Sequence, residues 1–499
     1  MRSRVLIVGL ALVVLVLGRL CYWVEPFGVS VDEMNYLSFA KILNDGGLSY
    51  VDAVDRKPPL LYWIFQAHGA IFGDWNLTAL HINFIILTLL LGFILVLITK
   101  NWMSLLVYAL FSSIFPREVV SANAEYLMLF LCAGAGWIWL RSRGDNFWPS
   151  LANVFLIGVI IGLASAVKQY AVLIYSGFFL AGLLFDLKTS NFRIVFWLKQ
   201  GFGFLAGFVL VWVLIGLYFW TNGAFDEFLF YCWLNGFQYI GQDAKNLNQG
   251  EGALLAWAGI LLLWAPLWWM IFRSFREERT GEDAKTFLLL ACGGGGALAT
   301  IFISGRYYTH YFVPAIWFLS GLASYGFLNL SKPMKRFFWM ASVILFASFG
   351  ILNLERDRLM GAQKFSFNRG RQKQLLEVAH YIRTNSKSTD RILVWGMASH
   401  LYVMSRRAPA SRYFFSDFVS GRLPGFKSTV SIPIPGAMDN YLMDLKANHP
   451  RYFIDTSPAR LNDYAAFSLS RFENLESFIR DKYNLVNQIE GFDIYEIKP

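Results

Sequence analysis

Runs of about twenty apolar residues recur along the chain, at roughly 4–24, 77–99, 102–115, 119–140, 150–167, 169–186, 194–220, 252–272, 285–304, 308–329 and 335–353. A helix needs that length to cross hydrocarbon about 30 Å thick, and it satisfies its own backbone there. About eleven such runs in 499 residues, 56% of them hydrophobic, define a polytopic α-helical membrane protein. The short runs near 102–115 and 169–186 set the count to within one or two. Met1-Arg2-Ser3-Arg4 and the apolar stretch after it open like a signal peptide, but the run is long and no small-residue cleavage site precedes Glu25. It reads as a retained first span. The net charge of +10 sits largely in short loops between spans, where basic residues set topology. That placement excludes a nucleic-acid footprint as its explanation.

The loop charges give an orientation. Arg141, Arg143, Lys188, Arg193, Arg273, Arg276, Arg279, Lys285, Lys332, Lys335 and Arg336 fall on one side, expected to be the inside together with the N-terminus. Single basic residues, Arg117, Lys168 and Arg306, mark the short outer turns. An odd span count then places the 25–76 loop and the tail after 353 outside. Asp32, Glu33, Asp55, Lys57, Arg117, Glu118, Lys168, Asp226, Glu227, Arg306 and His310 all fall on that face.

Loops between spans are usually short, so a polar one of about fifty residues beside the first span calls for a reason. From Glu33 to Leu43 its apolar residues recur at helical spacing among Glu33, Asn35, Ser38 and Lys41, the pattern of an interfacial helix. Gly46-Gly47 ends it, and Pro58-Pro59 opens a second segment, Leu60 to Phe72, where proline suits a helix start. From 354 onward the composition turns soluble. Arg391 to Gly396 and Tyr452 to Asp455 read as strands, 471–484 as a helix and Phe492 to Ile497 as a last strand, together a small α/β domain. The expected division is a membrane domain over 1–353, with the active site in the 25–76 loop, and an outer domain over 354–499.

Several residues could carry chemistry, each with a plainer reading beside it. Asp32 can act as a general base toward a hydroxyl, or simply cap the helix it opens. Glu33 suits the first helical turn. Arg56 and Lys57 oppose the helix dipole ahead of Pro58-Pro59-Leu60, a conflict that a bound phosphate resolves; lipid headgroups would serve as well. Asp55 is their nearest counter-charge. Glu125, two helical turns beyond Glu118, falls in the outer part of a span, where an ionisable group is a functional signal unless it pairs with Lys168 or Arg117. Lys168 can meet an anionic lipid head or anchor its turn. Gly305-Arg306-Tyr307-Tyr308-Thr309-His310-Tyr311-Phe312 combines a fixed cation, a titratable imidazole and four aromatics, suited to a phosphodiester and a sugar face or to an aromatic belt. Gly293 to Gly296 suits close helix packing. His68, His81, His380, His400, His449 and the four cysteines lack metal-ligand spacing, and no nucleotide-binding or zinc-protease motif is present.

The order of first span, Asp32-Glu33, helix, Asp55-Arg56-Lys57-Pro58-Pro59-Leu60 and apolar run resembles the GT-C superfamily of membrane glycosyltransferases. More narrowly it is similar to the bacterial branch related to protein O-mannosyltransferases and to the enzymes that add aminoarabinose or galacturonate to lipid A. The resemblance continues through Asn123-Ala124-Glu125, the Gly305 to Phe312 turn, Val394-Trp395-Gly396 and the stretch from Arg407 to Tyr413, nearly the whole chain. It implies an inverting transfer of sugar from a polyprenyl-phosphate donor to a lipid, glycan or protein hydroxyl, on the periplasmic face of a bacterial inner membrane. By position it implies Asp32 as the base, Lys57 on the donor phosphate and Arg306 as a second contact. Lys168 and Arg117 are further candidates for that phosphate. Glu125 would hold the second acidic position, orienting substrate or binding a metal, with Glu33, Asp55, Tyr307 and His310 as further substrate or metal candidates. No cofactor is fixed by this reading and a divalent metal stays open, because Arg56 stands directly before Lys57 where many relatives carry an acid. A lipid or sugar transporter and a non-catalytic envelope assembly protein are the competing readings. Transport predicts internal repeats and polar groups at mid-membrane; neither is evident, and the polar residues gather at one surface.

Overall fold

The structure, a computed structural model, describes residues 2–114, 117–141, 147–189, 193–236, 262, 264–303, 308–328, 330–360, 369–423 and 431–499, with backbone alone for 2, 117, 118, 303, 349, 352–360 and 369–371. It is mainly helical, with a small sheet domain near the C-terminus. Among the described residues, the helices Leu77–Thr99, Ala171–Lys188, Ile194–Thr221, Gly281–Phe302 and Thr309–Leu328 are long and apolar enough to cross a bilayer, and Ser3–Gly18 and Leu151–Val167 are shorter apolar helices. The protein is thus a multi-pass membrane protein. The Gly293 to Gly296 run does serve close packing: a Cβ on Gly296 would collide with the Leu173 carbonyl of the neighbouring helix.

Two expected spans are interrupted. The first is helical over Arg2–Gly18, turns at Arg19 and Leu20, and resumes as Cys21–Val24. The turn leaves Arg19 wholly buried, donating to Ser113 Oγ and Thr88 Oγ1 at 3.4 Å and to Tyr126 Oη at 3.2 Å. The run expected over 119–140 divides into Arg117–Val120 and Ala124–Arg141, with Ser121 to Asn123 non-helical between them. Glu118 and Glu125 therefore do not share the continuous helical face that their spacing suggested.

The loop between the first two spans forms two helices, Val31–Asn44 and Pro59–Phe72. Proline at the first helical position of the second costs no hydrogen bond, since that N–H has no partner inside a helix. The first helix departs from the interfacial pattern. Ten of its fourteen residues are buried, Glu33, Asn35 and Ser38 among them, so its polar side chains meet protein rather than water.

Part of the cover is the C-terminal domain. Its four strands run in the order β1-β2-β4-β3, with β1 (Ile392–Trp395) parallel to β2 (Tyr452–Asp455). The strand β4 (Phe492–Ile497) lies antiparallel to β2 and to β3 (Tyr483–Ile489). The helix expected over 471–484 stops at Lys482, and the chain enters β3 at once. This domain grips the loop at several points. Ser399 Oγ donates to Asn35 Oδ1 at 2.6 Å, and the Val54 N–H donates to the Arg412 carbonyl at 3.0 Å. Phe414 meets Phe39 edge-on.

His400 belongs to the same seam. Burial pulls its imidazole down to about 3, against the opposing effect of a hydrogen bond with the Phe27 backbone. In an unfolded chain the ring titrates near 6.5, so the folded state excludes a proton that the unfolded state accepts. This contribution to stability is complete above pH 6.5 and is lost as pH falls toward 3, about tenfold in the folding equilibrium per unit. Thermal unfolding of the full chain should show a fall in Tm on acidification from about pH 6.5, and His400→Gln should flatten that slope. An identical slope in the variant would place the titrating group elsewhere.

Candidate functional site

The site begins with Ser30, which sequence reasoning passed over. Its side chain caps the Val31–Asn44 helix, accepting from the Asp32 N–H at 3.2 Å. Asp32 is thereby relieved of the capping task, and its carboxylate turns toward the second loop segment. Lys57 Nζ lies 3.7 Å from Asp32 Oδ1 and 3.5 Å from Asp55 Oδ2. One ammonium thus bridges two carboxylates and occupies the position a cation between them would take. Its side chain and that of Asp32 remain 24% and 19% exposed, enough for a ligand to reach them.

Aromatic residues hold this arrangement. Tyr36, one turn beyond Asp32, donates to Asp32 Oδ2 at 3.3 Å and places its ring 5.1 Å from Lys57 Nζ. Tyr50 donates to the Lys57 carbonyl at 2.8 Å, Tyr62 donates to Asp55, and Phe39 stacks on Tyr62. Burial opposes the Lys57 charge, but attraction to Asp32, then Asp55 and Glu125, keeps its pKa above the ordinary lysine value. Burial likewise opposes the Asp32 charge, and it is outweighed by Lys57, then His310 and Lys168, so the carboxyl titrates below its usual value. Both groups are charged near neutral pH.

A second cluster comes from the ends of the spans. Glu125 opens the Ala124–Arg141 helix and is buried; Lys168, which caps the end of Leu151–Val167, pairs with its Oε1. His310 Nε2 lies 3.8 Å from the same oxygen, and the Tyr311 ring lies 4.5 Å from Lys168 Nζ. Glu125 Oε2 has no hydrogen-bond partner among the described residues. This cluster stands within electrostatic reach of Asp32 and Lys57.

The remaining sequence candidates separate. Glu33, expected beside substrate or metal, is fully buried and points away. It accepts from the Ala122 N–H and meets His81 Nε2 at 3.0 Å, and His81 stacks on Tyr22. Its carboxylate ties the loop helix to the break at Ser121 to Asn123, a structural role that gives a purpose to the otherwise unassigned His81. Arg56 also turns away, donating to Asn235 Oδ1 at 2.7 Å and stacking on Phe418 of the C-terminal domain. Asp226 and Glu227 are exposed. Arg306, Tyr307 and the side chain of Arg117 lie outside the described residues. Among the described residues no three His, Cys, Asp or Glu side chains converge as a metal would need.

The loop helix and the proline-led segment bridged by one lysine, with a sheet domain clamped over them, belong to a fold that solved structures share. The solved structure of ArnT from Cupriavidus metallidurans bound to undecaprenyl phosphate matches it with a TM-score of 0.60 at 15% identity, covering 98% of this chain and 97% of that one. The apo form of ArnT from the same organism matches with a TM-score of 0.56 at 13% identity, covering 93% and 92%. No family model matches the sequence, and no curated protein is similar to it by sequence.

Glu125 and Lys168 offer a direct test of how the second cluster is held. Removing one partner of a buried pair strands the other charge, at about 3–5 kcal/mol, while removing both is far milder. Lys168→Met should therefore lower Tm more than Lys168→Met combined with Glu125→Gln. Equal losses would show that the pair does not stabilise the fold as a unit.

Proposed function

We propose that this protein is an inverting glycosyltransferase that moves a sugar from a polyprenyl-phosphate donor to an acceptor hydroxyl. The observation that carries the reading is Lys57, an accessible cation held between Asp32 and Asp55 on a GT-C scaffold. The similar structure of ArnT was solved with undecaprenyl phosphate, which supports a lipid of that chemistry here. Loop charges support a periplasmic site at a bacterial inner membrane, with a membrane domain over 1–353 and an outer domain over 354–499.

In the proposed reaction the acceptor hydroxyl lies against Asp32 and the donor phosphate against Lys57. A new bond forms between the acceptor oxygen and C1 as the bond from C1 to the phosphate oxygen breaks. The hydroxyl proton passes to Asp32 and polyprenyl phosphate departs. Attack from the side opposite the leaving group inverts C1. Charge grows on the phosphate as the sugar becomes cationic, so a preplaced ammonium stabilises the transition state more than the ground state. Donor binding also changes the base. A phosphate that shares Lys57 weakens its hold on Asp32, which raises the Asp32 pKa and strengthens it as a base once the donor is present. Arg306, and Arg117 with Lys168, are proposed as further phosphate contacts. Glu125, His310 and Tyr307 are proposed to orient the sugar.

Mass spectrometry of envelope lipids and glycans from a deletion strain tests this reading. Complementation with the wild type should restore a sugar-sized mass that the deletion loses. Asp32→Asn at matched expression should fail to restore it, in keeping with a loss of about 10²- to 10⁴-fold for a missing general base. Full restoration by Asp32→Asn would refute the assignment.

A further inference from the structure

A groove of about 800 Å³ opens where the far end of the Val31–Asn44 helix meets the C-terminal domain. It is separate from the cluster around Asp32. Lys41, which lines it, lies nine residues beyond Asp32 on the same helix, about 14 Å along the axis.

The lining carries an unbalanced positive charge. Lys41 and four arginines, Arg383, Arg391, Arg406 and Arg407, face two carboxylates, Asp45 and Asp74. Lys41 already engages both of these, at 2.5 and 3.2 Å. Arg407 is committed inward: it is buried and donates to Ser386 Oγ and to the carbonyls of Arg383, Ser386 and Ser405, which fixes the shape of the wall. Arg383 and Arg406 are exposed and have no carboxylate partner among the described residues. Arg406 also holds a left-handed helix-end conformation, with φ 57°, which glycine adopts at less cost. Beside them stand the half-buried indole of Trp75 and the hydroxyls of Ser388 and Thr389.

A concave surface with surplus cations concentrates anions, and a guanidinium matches a phosphate through two parallel hydrogen bonds. The indole adds what a bare phosphate or a lipid headgroup does not need, a flat apolar face for a sugar ring. We propose that this groove anchors a phosphorylated sugar carried by the acceptor, with Arg383 and Arg406 on the phosphate and Trp75 against the ring. As a statement about the acceptor, this rests on the reading in which the reacting hydroxyl lies at Asp32. The acceptor then carries its anionic group about 14 Å from the hydroxyl that reacts. Arg383, Arg406 and Trp75 are positioning residues that act on the chemistry only through the placement of the acceptor.

Calorimetric titration of the full chain in phosphatidylcholine nanodiscs tests the groove without requiring turnover. Trehalose 6-phosphate is the probe, with trehalose and inorganic phosphate as references. The phosphorylated sugar should bind, and the neutral sugar should not. Arg383→Gln with Arg406→Gln should weaken binding at least about tenfold, since each removes a charge-assisted hydrogen bond from the exposed wall and not from the core. Trp75→Ala should weaken trehalose 6-phosphate more than inorganic phosphate. Asp32→Asn should leave binding intact, so a failed transfer reading and a failed groove give different results. Unchanged binding in the double arginine variant overturns the proposal. So does loss of binding when phosphatidylglycerol replaces phosphatidylcholine, which would make the groove a headgroup site. If transfer is established, the arginine variant should raise the acceptor KM with little change in kcat.

Discussion

One ammonium held between two carboxylates sets the terms for the rest of the molecule. Attraction to Asp32 and Asp55 outweighs the burial that opposes the Lys57 charge, and Lys57 in turn holds the Asp32 carboxyl below its usual value. The three groups come from two segments separated by an irregular stretch, so their geometry depends on how those segments are fixed. Ser30 starts one helix, Pro58 and Pro59 start the other, and Tyr36, Tyr50 and Tyr62 bind both ends of the bridge. Within the bridge, Lys57 and Asp32 are the side chains left partly exposed, where a ligand can reach them.

Around that bridge, polar residues do work that apolar packing cannot do alone. The Val31–Asn44 helix has protein on both sides, so its polar positions become joints. Glu33 reaches the Ala122 N–H and His81 on one side, while Asn35 receives Ser399 of the C-terminal domain on the other. Buried polar groups with well-defined partners specify one arrangement where apolar contacts would tolerate several. The C-terminal domain therefore helps to shape the site in addition to covering it, and the basic groove at its seam gives that contact a second proposed use.

Much of this was legible in the chain. Hydropathy showed a polytopic protein, and the spacing of Asp32, Asp55 and Lys57 in a long polar loop showed where its chemistry would gather. The strands at Ile392–Trp395, Tyr452–Asp455 and Phe492–Ile497 were visible as short buried or alternating runs. What escaped depended on partners distant in sequence. Glu33 has the same chemistry as Asp32, and only the fold shows that it faces a backbone N–H from residue 122. The breaks at Arg19 and at Ser121 to Asn123 lie inside apolar runs, where hydropathy registers composition and not helix continuity. β3 was missed because most of its side chains are exposed, which removes the apolar alternation that marked its neighbours. Tyr36 could have been found, since it lies one helical turn from Asp32.

The central proposal for the site is Lys57 as the cation that receives a lipid phosphate. Its most direct test is equilibrium binding of polyprenyl phosphate to the purified full chain, compared among wild type, Lys57→Met and Asp32→Asn. Loss of the ammonium should weaken binding by about tenfold or more, while loss of the neighbouring negative charge should leave it unchanged or tighten it. Wild-type affinity in Lys57→Met would contradict the account, because the bridge between Asp32 and Asp55 would then be a structural ion pair with no part in holding the donor.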